Sequence, residues 1–338
     1  MLLITTSLIA CGAENTSSSD DGIDKGEATD QITLKFGHYF SNQDSVGRSA
    51  DYWADLVEEK SDGNITVEIY PNEQLVEGRD GLQATSEGTV DLYTIVPSYI
   101  SGQIPIFDFF GLPLPEPDYT YEMMYDVVEE AQPILDKYLE ESNVKNLGGI
   151  HTTGRAELFS SEPIKSIDDL EGLKLRGIGG MLDVFVQNAG ASTAFLSAAE
   201  IYLALQTGTI DGMTTSYTSY TAGNLHEVSP YWTRIGLVQY PMFLFMNNEK
   251  WDSLTPEQQG ILNEATEESL TWLKGHQMEE EEEELTEIEE NVEEVITLDE
   301  GEWELWYEKA KPVHEKFISE NGEDAEKLME IMEKHLNK

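Results

Sequence analysis

The 338-residue chain carries 66 acidic and 20 basic side chains, a formal net charge of −46, with 39% hydrophobic residues. That length supports two domains with substantial cores, and no apolar run is long enough to span a bilayer as a helix. Nucleic acid is excluded as a partner, because phosphate binding needs clustered Lys and Arg, and acidity spread over the whole chain points to saline or alkaline surroundings, not to a ligand.

Cys11 is the only cysteine, so no internal disulfide can form. Its context, Ser7-Leu8-Ile9-Ala10-Cys11-Gly12, is a lipobox, in which the cysteine becomes the lipidated first residue of a mature lipoprotein. No Lys or Arg precedes Leu8 and the apolar region is short for a signal peptide, as expected when reading starts too far downstream. Residues 14–31 are polar and read as a tether between a membrane anchor and a folded body.

Ile32-Thr33-Leu34-Lys35-Phe36 alternates as a first strand, and His38 and Tyr39 follow at its C-terminal end, where open α/β sheets place their ligands. Val46, Ala50, Trp53 and Val57 repeat at helical spacing, and Ile65, Val67 and Ile69 alternate again. Strand, helix and strand in that order predict a parallel sheet. A helix near Arg79 to Glu87 leads to a third strand at Val90–Ile95, with Pro97, Ser98 and Tyr99 just past it. The aromatics of residues 105–117 read as packing under a loop, and Tyr121 to Tyr138 as one face of a long helix.

Val144 to Thr152 is expected to cross into a second domain as a strand, and Arg234 to Met246 to cross back, with Tyr240 near the interface. Between them, Leu173-Lys174-Leu175-Arg176 alternates apolar and basic. This turns Lys174 and Arg176 to the face opposite Leu173 and Leu175. Gly177, Gly179 and Gly180 then precede a helical pattern at Met181, Val184 and Phe185. A strand end, a Gly-rich turn and a helix start together suit an anion: the guanidinium offers a planar fork, and the helix offers free N–H groups. An ordinary surface ion pair at Arg176 is the competing reading. Asp211-Gly212 reads as a tight turn beside the pocket. Thr255-Pro256 starts a helix that runs into Glu279 to Glu284, six consecutive acids expected to form a solvated face.

No G-x-S-x-G, H-E-x-x-H, phosphate loop or dinucleotide fingerprint occurs, and the six histidines lack ligand spacing. Neither an enzyme, a cofactor nor a metal site is expected.

Three ordered stretches carry a resemblance: S-x-x-P-I-K-S-x-x-D-L-x-G-L-K-L-R from Ser160 to Arg176, A-E-I-Y-x-A-L-Q-T-G from Ala199 to Gly208, and T-I-D-G from Thr209 to Gly212. The passage resembles the signature of the solute-binding proteins of tripartite ATP-independent periplasmic (TRAP) transporters. The resemblance implies a periplasmic-binding-type α/β fold of two lobes around a ligand cleft, joined by crossing strands and a long bridging helix. The expected lobes are 32–152 with 241–282, and 153–240 with 283–338. It implies an extracytoplasmic, lipid-anchored monomer that captures an organic acid and delivers it to an ion-gradient-driven membrane permease. A lipid-anchored sensor reporting to a membrane receptor is the alternative. In that family the arginine closing the L-K-L-R strand clamps the ligand carboxylate, a role that carries onto Arg176, with Arg155 as the supporting arginine. Tyr39 and Ser98 on one lobe, and Thr215, Tyr217 and Tyr240 around the other, complete the expected ligand contacts. Met213 to Tyr217 departs from the residues that relatives carry after D-G, which leaves the rest of the ligand open.

Overall fold

The structure is a computed structural model and describes residues 31–42, 44–114, 120–152 and 155–336. Cys11, its lipobox and residues 14–30 of the tether lie outside these.

Among the described residues, eleven strands form two sheets. In chain order they are β1 Ile32–Gly37, β2 Ile65–Tyr70, β3 Leu92–Ile95, β4 Val144–Thr152, β5 Ala156–Ser160, β6 Lys174–Gly177, β7 Ser192–Phe195, β8 Gly212–Ser216, β9 Tyr231–Val238, β10 Pro241–Asn247 and β11 Glu294–Thr297. The first sheet runs β2-β1-β3-β10-β4 and the second β11-β9-β5-β8-β6-β7. β1 pairs in parallel with β2 and β3, while β10 runs antiparallel between β3 and β4.

Local chemistry accounts for the first sheet. Leu34 and Phe36 of β1 are fully buried. The helix Ser45–Lys60 starts where the Asp44 side chain accepts a hydrogen bond from the Val46 amide, and it buries Val46, Ala50, Trp53 and Val57. Its return through Ser61 to Asn64 sets β2 beside β1 in parallel register, the right geometry for a strand–helix–strand unit. The aromatics of Pro105–Gly111 pack inward: the Phe107 and Phe110 rings lie 6.0 and 5.5 Å from that of Phe243.

The expected single strand from Arg234 to Met246 is in fact two. β9 belongs to the second sheet and β10 to the first, with Gln239 and Tyr240 between them. Pro241 is the cause: it has no N–H for a continuing ladder, so it opens a new strand in a different sheet. β4 and β5 make the neighbouring crossing. The helix Pro256–Asn291, 36 residues long and capped by Thr255, packs against β4 and the helix Ser45–Lys60. The helix Glu323–Leu336 packs on the helix Tyr121–Glu141, it and the helix Glu300–Asn321 both pack on the Pro105–Gly111 turn, and Glu300–Asn321 also reaches the helix Gly180–Asn188. The result is two α/β lobes joined by crossing chains and spanned by one long helix.

The acidic run Glu279–Glu284 is not uniformly solvated. Glu279, Glu282 and Glu283 are exposed, but Glu281 faces a cavity and Glu284 accepts a hydrogen bond from Thr218 at 3.1 Å. Successive helical residues rotate by about 100°, so a helix crossing both lobes must turn part of any acid run inward.

Candidate ligand-binding site

Arg176 ends β6 and is buried, 6% exposed. The expectation that β6 exposes its basic face holds for Lys174 and fails for Arg176, because the latter points between the lobes. Its Nε donates to the Leu196 carbonyl at 3.1 Å and its Nη1 to the Thr214 carbonyl at 3.4 Å. The Tyr99 hydroxyl is a third partner. Among the described residues no carboxylate pairs with it, which removes the surface ion-pair reading. Its hydrogen-bond partners are all neutral and Asp183 only lies in its field, so the buried positive charge is no more than partly balanced.

The helix start behind it is not the free anion site that the sequence suggested. Asp183 Oδ1 accepts hydrogen bonds from the Ile178 and Gly179 amides, both at 3.1 Å. Asp108 Oδ1 accepts from the Met181 amide at 3.3 Å. Burial pushes both carboxyl pKa values up, opposed by these hydrogen bonds. Gly180 has φ +68°, and a Cβ there would lie 2.1 Å from Asp108 Oδ1, so the turn admits only glycine. The chain's own carboxylates fill the helix terminus, leaving the Arg176 guanidinium as the cationic group there.

Beside Arg176 is a cavity of about 60 Å³. Tyr39 and Phe40 enter it from the end of β1, Val96 and Tyr99 from the end of β3, and Ala156, Thr215 and Ser216 from β5 and β8. Ile178, Ile201, Ser219 and Tyr240 complete the wall. The aromatic side is layered, with ring centroids 4.0 Å apart for Tyr39–Phe40 and 5.1 Å for Tyr39–Tyr99. Beyond Tyr99, the Arg79 guanidinium stacks 3.5 Å over Phe195.

The structure therefore brings Arg176, Tyr39, Thr215 and Tyr240 together, with buried Ser98 beside the Tyr240 hydroxyl. Arg155 and Tyr217 are elsewhere, lining a cavity of about 620 Å³ with Glu157, Gln239 and Glu281. Strand alternation explains the separation: Ala156 faces Arg176, and its neighbours Arg155 and Glu157 face the other way. Tyr217 donates to Glu157 Oε1 at 2.8 Å, and the Gly236 amide donates to Oε2 at 2.7 Å. Burial raises the Glu157 pKa, opposed by these bonds and by Arg155. Glu281 is raised by burial too, opposed by Tyr121 and Arg155. Gly236 has φ +56°, and a Cβ there would lie 2.5 Å from Arg155 Cζ, so glycine lets the guanidinium approach.

Asp211 is likewise not beside the small cavity: its carboxylate accepts from the Lys174 amide at 2.8 Å, at the start of β6. Tyr99 is the cavity-lining residue that sequence reasoning passed over in favour of Ser98. Pro97 was the usable signal, since a proline at the first helical position turns the chain into the helix Pro97–Ile100 and re-aims the side chains after β3.

Residues 36–321 match the family described as bacterial extracellular solute-binding protein, family 7. The C4-dicarboxylate-binding periplasmic protein DctP of Rhodobacter capsulatus is 28% identical over 295 residues, covering 86% of this chain and 88% of that protein. The sialic acid-binding periplasmic protein SiaP of Vibrio cholerae is 27% identical over 234 residues, covering 69% and 73%. Among solved structures, the sugar acid binding protein DctPAm of Advenella mimigardefordensis in complex with galactonate superposes with a TM-score of 0.83 at 22% identity, over 90% of this chain and 98% of that one. A TRAP solute-binding protein of Sulfurospirillum deleyianum with bound succinate gives 0.81 at 22%, over 89% and 98%. The chain belongs to bacterial extracellular solute-binding protein family 7, the solute-binding proteins of TRAP transporters.

Proposed function

We propose that this protein captures an organic acid outside the cytoplasm by clamping its carboxylate on Arg176, and delivers it to an ion-gradient-driven TRAP permease. One observation carries the reading: Arg176 is 6% exposed and, among the described residues, has no carboxylate partner. An anion entering the cavity supplies the missing charge, and a guanidinium fork bonds both its oxygens at once. Relatives named for C4-dicarboxylates and sialic acid support the same chemistry. Tyr39 and Ser98 form the wall of the first lobe, residues 32–152 with 241–282, and Tyr240 closes the second lobe at the crossing. Thr215 belongs to the second, 153–240 with 283–338. Arg155 and Tyr217 act indirectly, by holding Glu157 and hence β5 under Ala156. Lipidation of Cys11 retains the monomer at the membrane, where two acyl chains suffice for stable anchoring.

Titration calorimetry with a bound acid and its amide tests the clamp. The amide binds far more weakly if Arg176 holds a carboxylate; equal affinity overturns the reading. Cys11→Ser in the full-length gene releases the protein from the membrane fraction, and unchanged fractionation removes the anchor.

A further inference from the structure

We propose that the Arg176 cavity selects a short monocarboxylate and rejects dicarboxylates and sugar acids, an inference that rests on the carboxylate clamp argued above. The first ground is size. A cavity of about 60 Å³ holds only a few water molecules, since roughly 10–15 Å³ suffices for one. That suits an acid with a short carbon chain and not a six-carbon polyol acid.

The second ground is charge. Arg176 is the one cation in the cavity wall among the described residues. Sharing the wall with it are Phe40, Val96, Ile178 and Ile201, each less than 9% exposed. A second carboxylate there loses its water and gains no ion partner, a cost of several kcal/mol.

Neither neighbouring arginine removes that cost. Arg79 is stacked on Phe195 beyond Tyr99, in a separate cavity that it shares with Glu73, Glu77 and Glu200. Arg155 faces the larger cavity, where Glu157 and Glu281 lie in its field. The polar atoms of the small cavity cluster instead near the clamp. Thr215 and Ser216 follow Thr214, whose carbonyl accepts from Arg176. A 2-oxo or 2-hydroxy oxygen adjoining the ligand carboxylate meets a hydroxyl there.

The test is calorimetry on the full chain with propionate, pyruvate, lactate, 4-methyl-2-oxopentanoate, succinate, galactonate and propionamide. Expected is tight binding of the three-carbon acids, with succinate and galactonate weaker by about a hundredfold or more. Ile201→Ala should raise affinity for 4-methyl-2-oxopentanoate roughly tenfold and leave succinate weak. Succinate or galactonate binding as tightly as pyruvate overturns the selectivity while leaving the clamp standing. A gain for succinate in Ile201→Ala, equal to that for the branched acid, overturns the charge argument. Propionamide matching propionate, or no acid binding at all, overturns the clamp itself.

Discussion

Of the two cavities flanking β5, one is lined by Arg155 and Arg234 and the other by Arg176, and they differ in what answers that charge. Arg155 stands among Glu157 and Glu281, with Gly236 shaped to let it in. Arg176 is held by two backbone carbonyls and a phenol, and the nearest acids, Asp108 and Asp183, are committed to amides of the helix start. A buried charge that the fold neutralises is part of the fold. One that it leaves unbalanced is kept at a cost and marks where an external counter-charge arrives. Cavity volume alone would point to the other one, since the larger space surrounds Arg155.

Substitution at Arg176 should break this contrast most sharply. Arg176→Ala is expected to weaken carboxylate binding by more than about a hundredfold, and Arg176→Lys by roughly ten- to a hundredfold, because lysine keeps the charge and loses the fork. The melting temperature of unliganded Arg176→Ala should stay level or rise, since an uncompensated buried charge is removed. A clear fall in melting temperature without loss of affinity would make Arg176 structural.

Acid should move the two sides in opposite directions. His38, fully buried next to Tyr39, has its pKa lowered by burial to about 4, opposed by a backbone contact with Phe40. Its unfolded value is near 6.5, so the neutral form is favoured in the fold. Its contribution is therefore complete above pH 6.5, declines between pH 6.5 and 4, and amounts to on the order of 3 kcal/mol. Glu157 and Glu281 have raised values, so their protonated forms are favoured in the fold and acid recovers stability on their side. Urea denaturation from pH 8 to 4 should show a net acid loss that His38→Gln flattens and Glu157→Gln steepens. No change of slope in either variant would refute the assignment.

Arg155→Ala should give the converse of Arg176→Ala. The change takes a cation from the field of Glu157 and of Glu281, the latter keeping Arg234, at a cost of about 2 kcal/mol read by denaturation. Affinity for the acid should change less than about threefold. A tenfold loss of affinity with stability intact would mean that Arg155 reaches the ligand.

The smallest expected effect concerns the whole surface. At a net charge of −46, molar salt shortens the Debye length to ~3 Å and screens repulsion among exposed carboxylates. The melting temperature of the unliganded protein should rise along a sodium chloride series, and a flat or falling series would detach the acidity from salt.

Much of the architecture was legible because it is local. Alternation placed β1 and β2, and apolar spacing with Asp44 ahead of it placed the helix Ser45–Lys60. Thr255-Pro256 marked the start of the 36-residue helix, and the L-K-L-R strand led to Arg176. These features depend on residues within one or two turns of each other, where periodicity, caps and backbone restrictions act. What stayed hidden depends on partners remote in sequence. Asp108 fills the helix start at Met181 from 73 positions away, and nothing near Gly179 announces it. Glu281 turns inward only because its helix crosses both lobes. Arg155 and Ala156 are adjacent in sequence, yet a strand sends them to opposite faces, and only packing decides which face meets Arg176. The sequence thus determined most of the elements and singled out Arg176, since both are written in short-range pattern. Tertiary structure decided which charges are neutralised and how much room the ligand has, since those are sums over residues that only the fold brings together.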